Sequence, residues 1–281
     1  MLTTFALIAK LLLYIGALVS VGIFSHFCLG IQQKLKGLRI FIAVLVVGAI
    51  SKLIIANAQL AGSLSEAFNS KTFVWVWQSS GMQFLAVMGG ASLAVLASFI
   101  KLSALRKIVA ALSIIALSAG FALSGHTQAA ENMPFLPLWV IPHILIAGYW
   151  LYAPFSLWPA ETLSDRDLIL RTERFSRFAI WAVPILFVTG LYLLWRLNGN
   201  LLEVGSTLYG RLLMGKFFAA LLLLGVGAYN KHHIGNLLRQ SPAEGRAALR
   251  RTLSLEAALF AVIFVCVLVA TTITGPVGHH H

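Results

Sequence analysis

The chain has 281 residues, of which 59% are hydrophobic and only 11% charged, and its formal net charge is +12. Soluble domains carry about 25% charged residues, so this composition excludes an ordinary water-exposed surface, and its apolar content excludes a disordered chain. In so apolar a chain the positive excess points to loop orientation and not to nucleic acid.

A bilayer-spanning helix needs about 20 apolar residues. Eight such runs occur, near residues 7–30, 39–61, 73–99, 104–124, 138–158, 175–197, 207–231 and 251–273. Unsatisfied backbone in hydrocarbon is costly, and the runs lack the alternation of a barrel strand, so all eight are expected to be helices. The first run is longer than the apolar core of a signal peptide and no A-x-A site follows it, so a retained helix is expected. No long polar stretch interrupts the runs. The expected architecture is therefore all-α, a single integral membrane domain over residues 1–281.

The cations segregate. Lys34, Lys36 and Arg39 follow the first run, and Lys101, Arg106 and Lys107 follow the third. Arg166, Arg171, Arg174 and Arg177 follow the fifth, and Lys231, Arg239, Arg246, Arg250 and Arg251 follow the seventh. These are fifteen of the 21 lysines and arginines. The opposite side has Lys10, Lys71, Arg196 and Arg211, while Lys52 and Lys216 fall within spans. Positive loops stay cytoplasmic, so both termini are expected on the outer face of the membrane. This topology puts Cys28 and Cys266 at opposite ends, where they cannot pair.

Ionisable residues at membrane depth are default functional candidates. His126 follows the fourth run in Ser124-Gly125-His126-Thr127-Gln128, and His143 opens the fifth in Pro142-His143-Ile144-Leu145. They flank one outer loop and could meet in space. A helix N-terminus disfavours imidazolium, which would keep His143 neutral and able to bind a metal. Imidazole suits copper and thioether suits Cu(I), which adds Met133 in the same loop and Met82 and Met214 on the third and seventh runs. Two interfacial histidines bonded to their neighbours, with the methionines as packing residues, are the competing reading. His26 lies at the inner end of the first run, and His232 and His233 end the seventh. These are an inner exit site or a solvated basic end. His279, His280 and His281 are terminal copper ligands or an expression-tag remnant.

Lys52 shares a helical face with Gly48, Gln59 and Ser63, a polar stripe that should face the bundle interior. Gln83 and Lys216 join it from the third and seventh runs. No acid lies at matching depth, which counts against a simple cation channel. Glu256, in the eighth run, is expected to pair with Arg177 or Arg174 as a structural ion pair. Trp75, Trp77, Trp139, Trp158, Trp195, Tyr209 and Tyr229 sit near span ends as an interfacial belt. No P-loop, G-x-G-x-x-G, H-E-x-x-H or C-x-x-C motif occurs, so nucleotide-driven transport within this chain is not expected, and the expected role is not that of an enzyme.

Arg174-Phe175-Ser176-Arg177-Phe178-Ala179 with Thr189-Gly190, followed by Tyr209-Gly210-Arg211-Leu212-Leu213-Met214-Gly215-Lys216, resembles the sixth helix and the YGrxLxxK signature of the CopD (copper resistance protein D) family. Asn230, Arg250-Arg251, Glu256 and Gly275-Pro276 fit the same order. Gly125-His126, and His143 followed by Trp150, resemble its GH and HxxxxxxW features, although Leu151-Tyr152-Ala153 departs from the glycines that usually follow. The resemblance covers about residues 120–276. It implies an eight-helix inner-membrane protein of copper uptake or resistance, with copper bound at His126 and His143. It also implies a separate periplasmic carrier of CopC type, because some relatives carry that domain fused at an outer N-terminus. Two alternatives stand beside copper transport: a b-type cytochrome with histidine-ligated haem, and a non-transporting assembly subunit.

Overall fold

The computed structural model describes residues 1–123, 135–198 and 201–273. Its long helices are α1 (Leu2–Cys28), α2 (Leu38–Ala61), α3 (Ser70–Phe99), α4 (Ser103–Ala122), α5 (Leu136–Leu151), α7 (Asp165–Asn198), α8 (Leu208–Tyr229) and α10 (Pro242–Thr272). Two short helices extend them: α6 (Ala153–Ser156) continues α5, and α9 (Gly235–Gln240) continues α8 after a π-helical turn over Asn230–Ile234. Among the described residues, eight helical segments are long and apolar enough to cross a membrane. No strand occurs among the described residues.

Several helices overrun their apolar cores. α7 has 34 residues, which is about 51 Å at 1.5 Å per residue against about 30 Å of hydrocarbon. The charged stretches around residues 165–174 and 242–250 are thus helical extensions and not irregular loops. Local chemistry starts them: Ser164 Oγ accepts from the Asp167 amide at 3.1 Å, and Pro242 opens α10, where its missing N–H costs nothing.

α1 is the hub. It packs against α2, α4, α5 and α10, and from Gly16 to Phe27 it is buried without interruption. Close approach rests on glycine. Gly16 faces the Leu45 backbone of α2, and Gly48 of α2 faces Leu13 of α1. The same device recurs between α3 and α4, where Gly90 meets Leu117 and Gly120 meets Val87. Small residues at such crossings let backbones touch where lipid offers no hydrophobic drive. Outward faces carry Ile40, Val47, Trp181, Val188, Leu222 and Val265, as contact with acyl chains requires.

The cation-rich connections gather at one end. Arg246 bonds Asp165 at 2.7 Å, the Ala160 carbonyl at 3.1 Å and the Leu163 carbonyl, and Arg250 bonds the Pro159 carbonyl at 3.1 Å. Arg174 reaches the Gly30 carbonyl. At the opposite end, buried Asn57 holds the α2–α3 connection through the Ala67 and Asn69 carbonyls and the Thr72 hydroxyl. Cys28 and Cys266 are both free thiols.

Candidate functional site

Polar side chains from six helices converge inside the bundle, in the half away from the cation-rich end. The chamber they enclose has a volume of about 370 Å³. α1 contributes Lys10 and Tyr14, α2 Lys52, α3 Gln83, α5 His143, α8 Tyr209 and Lys216, and α10 Thr271. Leu18, Leu151 and Phe260 line it from α1, α5 and α10. A second, apolar chamber of about 240 Å³ opens towards α7 and α8, lined by Leu186, Phe187, Leu213 and Phe217. The two share His143, Tyr209, Lys216 and Thr271, so they meet around one polar ring.

Two of the lysines are held by neutral oxygens. Lys10 Nζ donates to the Thr271 carbonyl at 2.6 Å, and Lys52 Nζ donates to Gln83 Oε1. Lys10 and Lys52 lie within electrostatic reach of each other, and Lys216 within reach of His143. No aspartate or glutamate among the described residues lines either chamber.

The contacts of His143 favour one tautomer. Its Nδ1 lies 3.2 Å from Thr189 Oγ1 of α7. The Thr189 hydroxyl donates to the Ile185 carbonyl at 2.8 Å or the Leu186 carbonyl at 3.0 Å, so Thr189 Oγ1 accepts from Nδ1–H. The Leu186 carbonyl is also a backbone acceptor for the ring, and with Nδ1 as the donor on this α7 face the lone pair sits on Nε2. Gly190 makes room for this edge of the ring: a Cβ there would stand 3.1 Å from His143 Cε1. His143 lies two turns into α5 and not at its start, because the helix runs through Pro142 from Leu136. The expected influence of a helix N-terminus is therefore replaced by the Thr189 contact.

The other candidates separate. His126 and Met133 lie outside the described residues, as do His279, His280 and His281. Met82 is 64% exposed on the outer surface of α3 and lines neither chamber. Met214 is partly exposed and sits near Gly205. His26 is fully buried below the chamber, where its Nε2 donates to the Tyr149 carbonyl at 2.9 Å among the rings of Tyr149, Tyr152 and Phe175. His232 and His233 are exposed on the π turn. No group of three or more His, Cys, Asp or Glu placed to hold a metal occurs among the described residues.

Four expectations need correction. Glu256 is buried, but its Oε1 accepts from Asn230 Nδ2 at 2.9 Å, while Arg177 is exposed and Arg174 is spent on Gly30. The π turn swings Asn230 towards α10 and supplies this neutral partner. Gln59 is exposed, so the inward stripe of α2 consists of Gly48 and Lys52 with the buried Asn57 beyond them. Tyr209 is buried in the chamber wall and not part of the interfacial belt, whereas Trp75, Trp77, Trp139, Trp158, Trp195 and Tyr229 are exposed. Lys10, placed by sequence among the outer charges, belongs to the site. Its signal was its position inside the first apolar run.

The fold and chamber define a multi-pass membrane protein with a polar site enclosed by its helices. The model of the CopD family, copper resistance protein D, matches residues 170–270, from the first turns of α7 to the last turn of α10. The match covers just over a third of the chain. It contains Thr189, Tyr209, Lys216, Asn230 and Glu256, while His143 and the helices α1–α5 lie before it. No curated protein and no solved structure matches the chain.

Proposed function

We propose that this protein binds copper in the central chamber and passes it across the membrane. The observation that carries the reading is His143: an imidazole whose Nδ1 lies against Thr189 and whose Nε2 edge is left for a metal, inside a chamber bordered by the CopD-matched helices. Imidazole in this state is a good copper ligand, and a hydrogen bond on the second nitrogen raises its basicity. His143 supplies one ligand. His126 and Met133, from the preceding connection, are the residues proposed to complete the set.

Copper would enter from the end away from the cationic loops, the outer face if those loops are cytoplasmic, and a separate periplasmic carrier of CopC type would deliver it there. Below the chamber the rings of His26, Tyr149, Phe175 and Phe178 pack together, with Tyr149 Oη bonded to the Phe175 carbonyl at 2.8 Å. Passage towards the cation-rich end requires this layer to part, so transport needs a conformational step and not a static pore. The protein acts as a binder and conduit, with no catalytic step assigned. A haem reading needs two histidines facing one cavity, and among the described histidines only His143 lines the chamber.

The test is metal content and visible spectrum of the purified protein, followed by copper flux in reconstituted vesicles. The proposal expects copper retention and flux in the wild type and loss of both in His143→Ala. A stoichiometric iron content with a Soret band, or wild-type vesicles without copper-dependent flux, overturns it.

A further inference from the structure

Lys10, Lys52 and Lys216 reach one chamber from three helices; Lys10 and Lys52 bond neutral oxygens, and the ionisable group beside Lys216 outside the wall is the Cys266 thiol. An ammonium at membrane depth is costly unless a counter-charge accompanies it. No described carboxylate faces them, and the wall otherwise offers Gln83, tyrosine hydroxyls and His143. A bare copper cation brought to His143 Nε2 would add like charge beside Lys216. The chamber's volume of about 370 Å³ is that of a small-molecule site and far exceeds the needs of a single ion.

We infer that the chamber is an anion site, and that copper occupies it as a complex of net negative charge whose carboxylate-type ligands rest on the lysines while His143 Nε2 reaches the metal. The inference rests on the copper reading for its cargo, but the anion site stands on the lysines alone. The ammonium groups orient the oxyanions, and His143 replaces one ligand of the incoming complex. The bond formed is copper to nitrogen and the bond broken is copper to the displaced oxygen, with no change of oxidation state. Selection against hydrated cations follows from the same charges.

Equilibrium dialysis of the full chain in neutral detergent tests this, with radiolabelled citrate alone, the copper–citrate complex and tetraamminecopper(II) as probes. The inference expects wild type to hold citrate, to hold copper–citrate at least tenfold more tightly than the cationic complex, and to lose at least tenfold in citrate affinity in each of Lys52→Met and Lys216→Met. Citrate binding by wild type that weakens with added chloride supports the same conclusion if those variants fail to fold. Retention of the cationic complex with no citrate binding overturns the anion site and leaves the copper reading standing. Citrate binding without copper from either complex supports the anion site and removes the copper reading. Glu131 and Glu203 are examined in parallel: citrate binding seen only in Glu131→Gln or Glu203→Gln shows that the protein supplies its own counter-charge and overturns the inference. A tightly co-purifying anionic phospholipid displaced by neither citrate nor copper–citrate overturns it as well.

Discussion

Replacing Gly16 by alanine should loosen the crossing that brings Lys10 and Lys52 to the same chamber. A Cβ at Gly16 would stand 2.5 Å from the Leu45 nitrogen, 2.6 Å from its Cα and 2.7 Å from its Cβ. Two of these atoms are backbone and cannot rotate away. α1 and α2 would have to part by about 1 Å to restore ordinary carbon contact, and a gap of that size forfeits a quarter to a half of each dispersion contact along the seam. Overpacking of this kind costs about 1–3 kcal/mol, against about 1 kcal/mol regained because alanine is the better helix former. A rigid backbone clash belongs at the upper end, so the expected net loss is about 2 kcal/mol. Gly89 on α3 has nothing within 4 Å of its Cβ position, so Gly89→Ala should be neutral or stabilising and serves as the control. Gly48 meets the Leu13 Cα of α1 at the same crossing, so Gly16→Ala combined with Gly48→Ala should cost less than the sum of the two. The assay is reversible unfolding in mixed micelles, followed by circular dichroism. Gly16→Ala as stable as Gly89→Ala would refute the argument, since the crossing would then tolerate a separation that the packing forbids.

Further outcomes follow from single contacts. Thr189→Val keeps the volume but removes the acceptor for Nδ1, so copper affinity measured against a chromophoric chelator should fall about 10–100-fold while His143→Ala abolishes binding. Glu256→Gln preserves an acceptor for Asn230 Nδ2 and should leave unfolding free energy within about 1 kcal/mol, whereas Glu256→Leu strands that donor and should cost about 1–3 kcal/mol. Arg246→Ala removes three bonds that pin the connection between α6 and α7, and should cost about 2–3 kcal/mol and expose residues 159–164 to added protease. The Arg239–Glu173 pair is 55% and 39% exposed, so Arg239→Ala should cost no more than about 1 kcal/mol in the same measurement.

Composition and cation spacing made the eight spans legible because both are one-dimensional properties of the chain. The convergence of Lys52, Gln83 and Lys216 was legible for a related reason: at membrane depth a polar side chain has few places to go except the interior. What the sequence could not supply was rotation about each helix axis. Met82 and Gln83 are adjacent, yet one points to lipid and the other to the chamber, and a run that is apolar all round carries no moment to choose between them. Helix boundaries misled in the same way. Placing His143 at the start of the fifth span gave it the field of a helix end, whereas a helix that continues through Pro142 gives it Thr189 instead. Charge sign misled at Glu256, where arginines of the sixth run were taken as partners and a π turn delivers Asn230. Lys10 shows how these errors connect. Counted as one more charge outside the membrane, it changes only a topology score; placed beside Lys52 it turns two isolated intramembrane lysines into a three-lysine site. That third charge shifts the question from how a cation passes ammonium groups to which anion accompanies it.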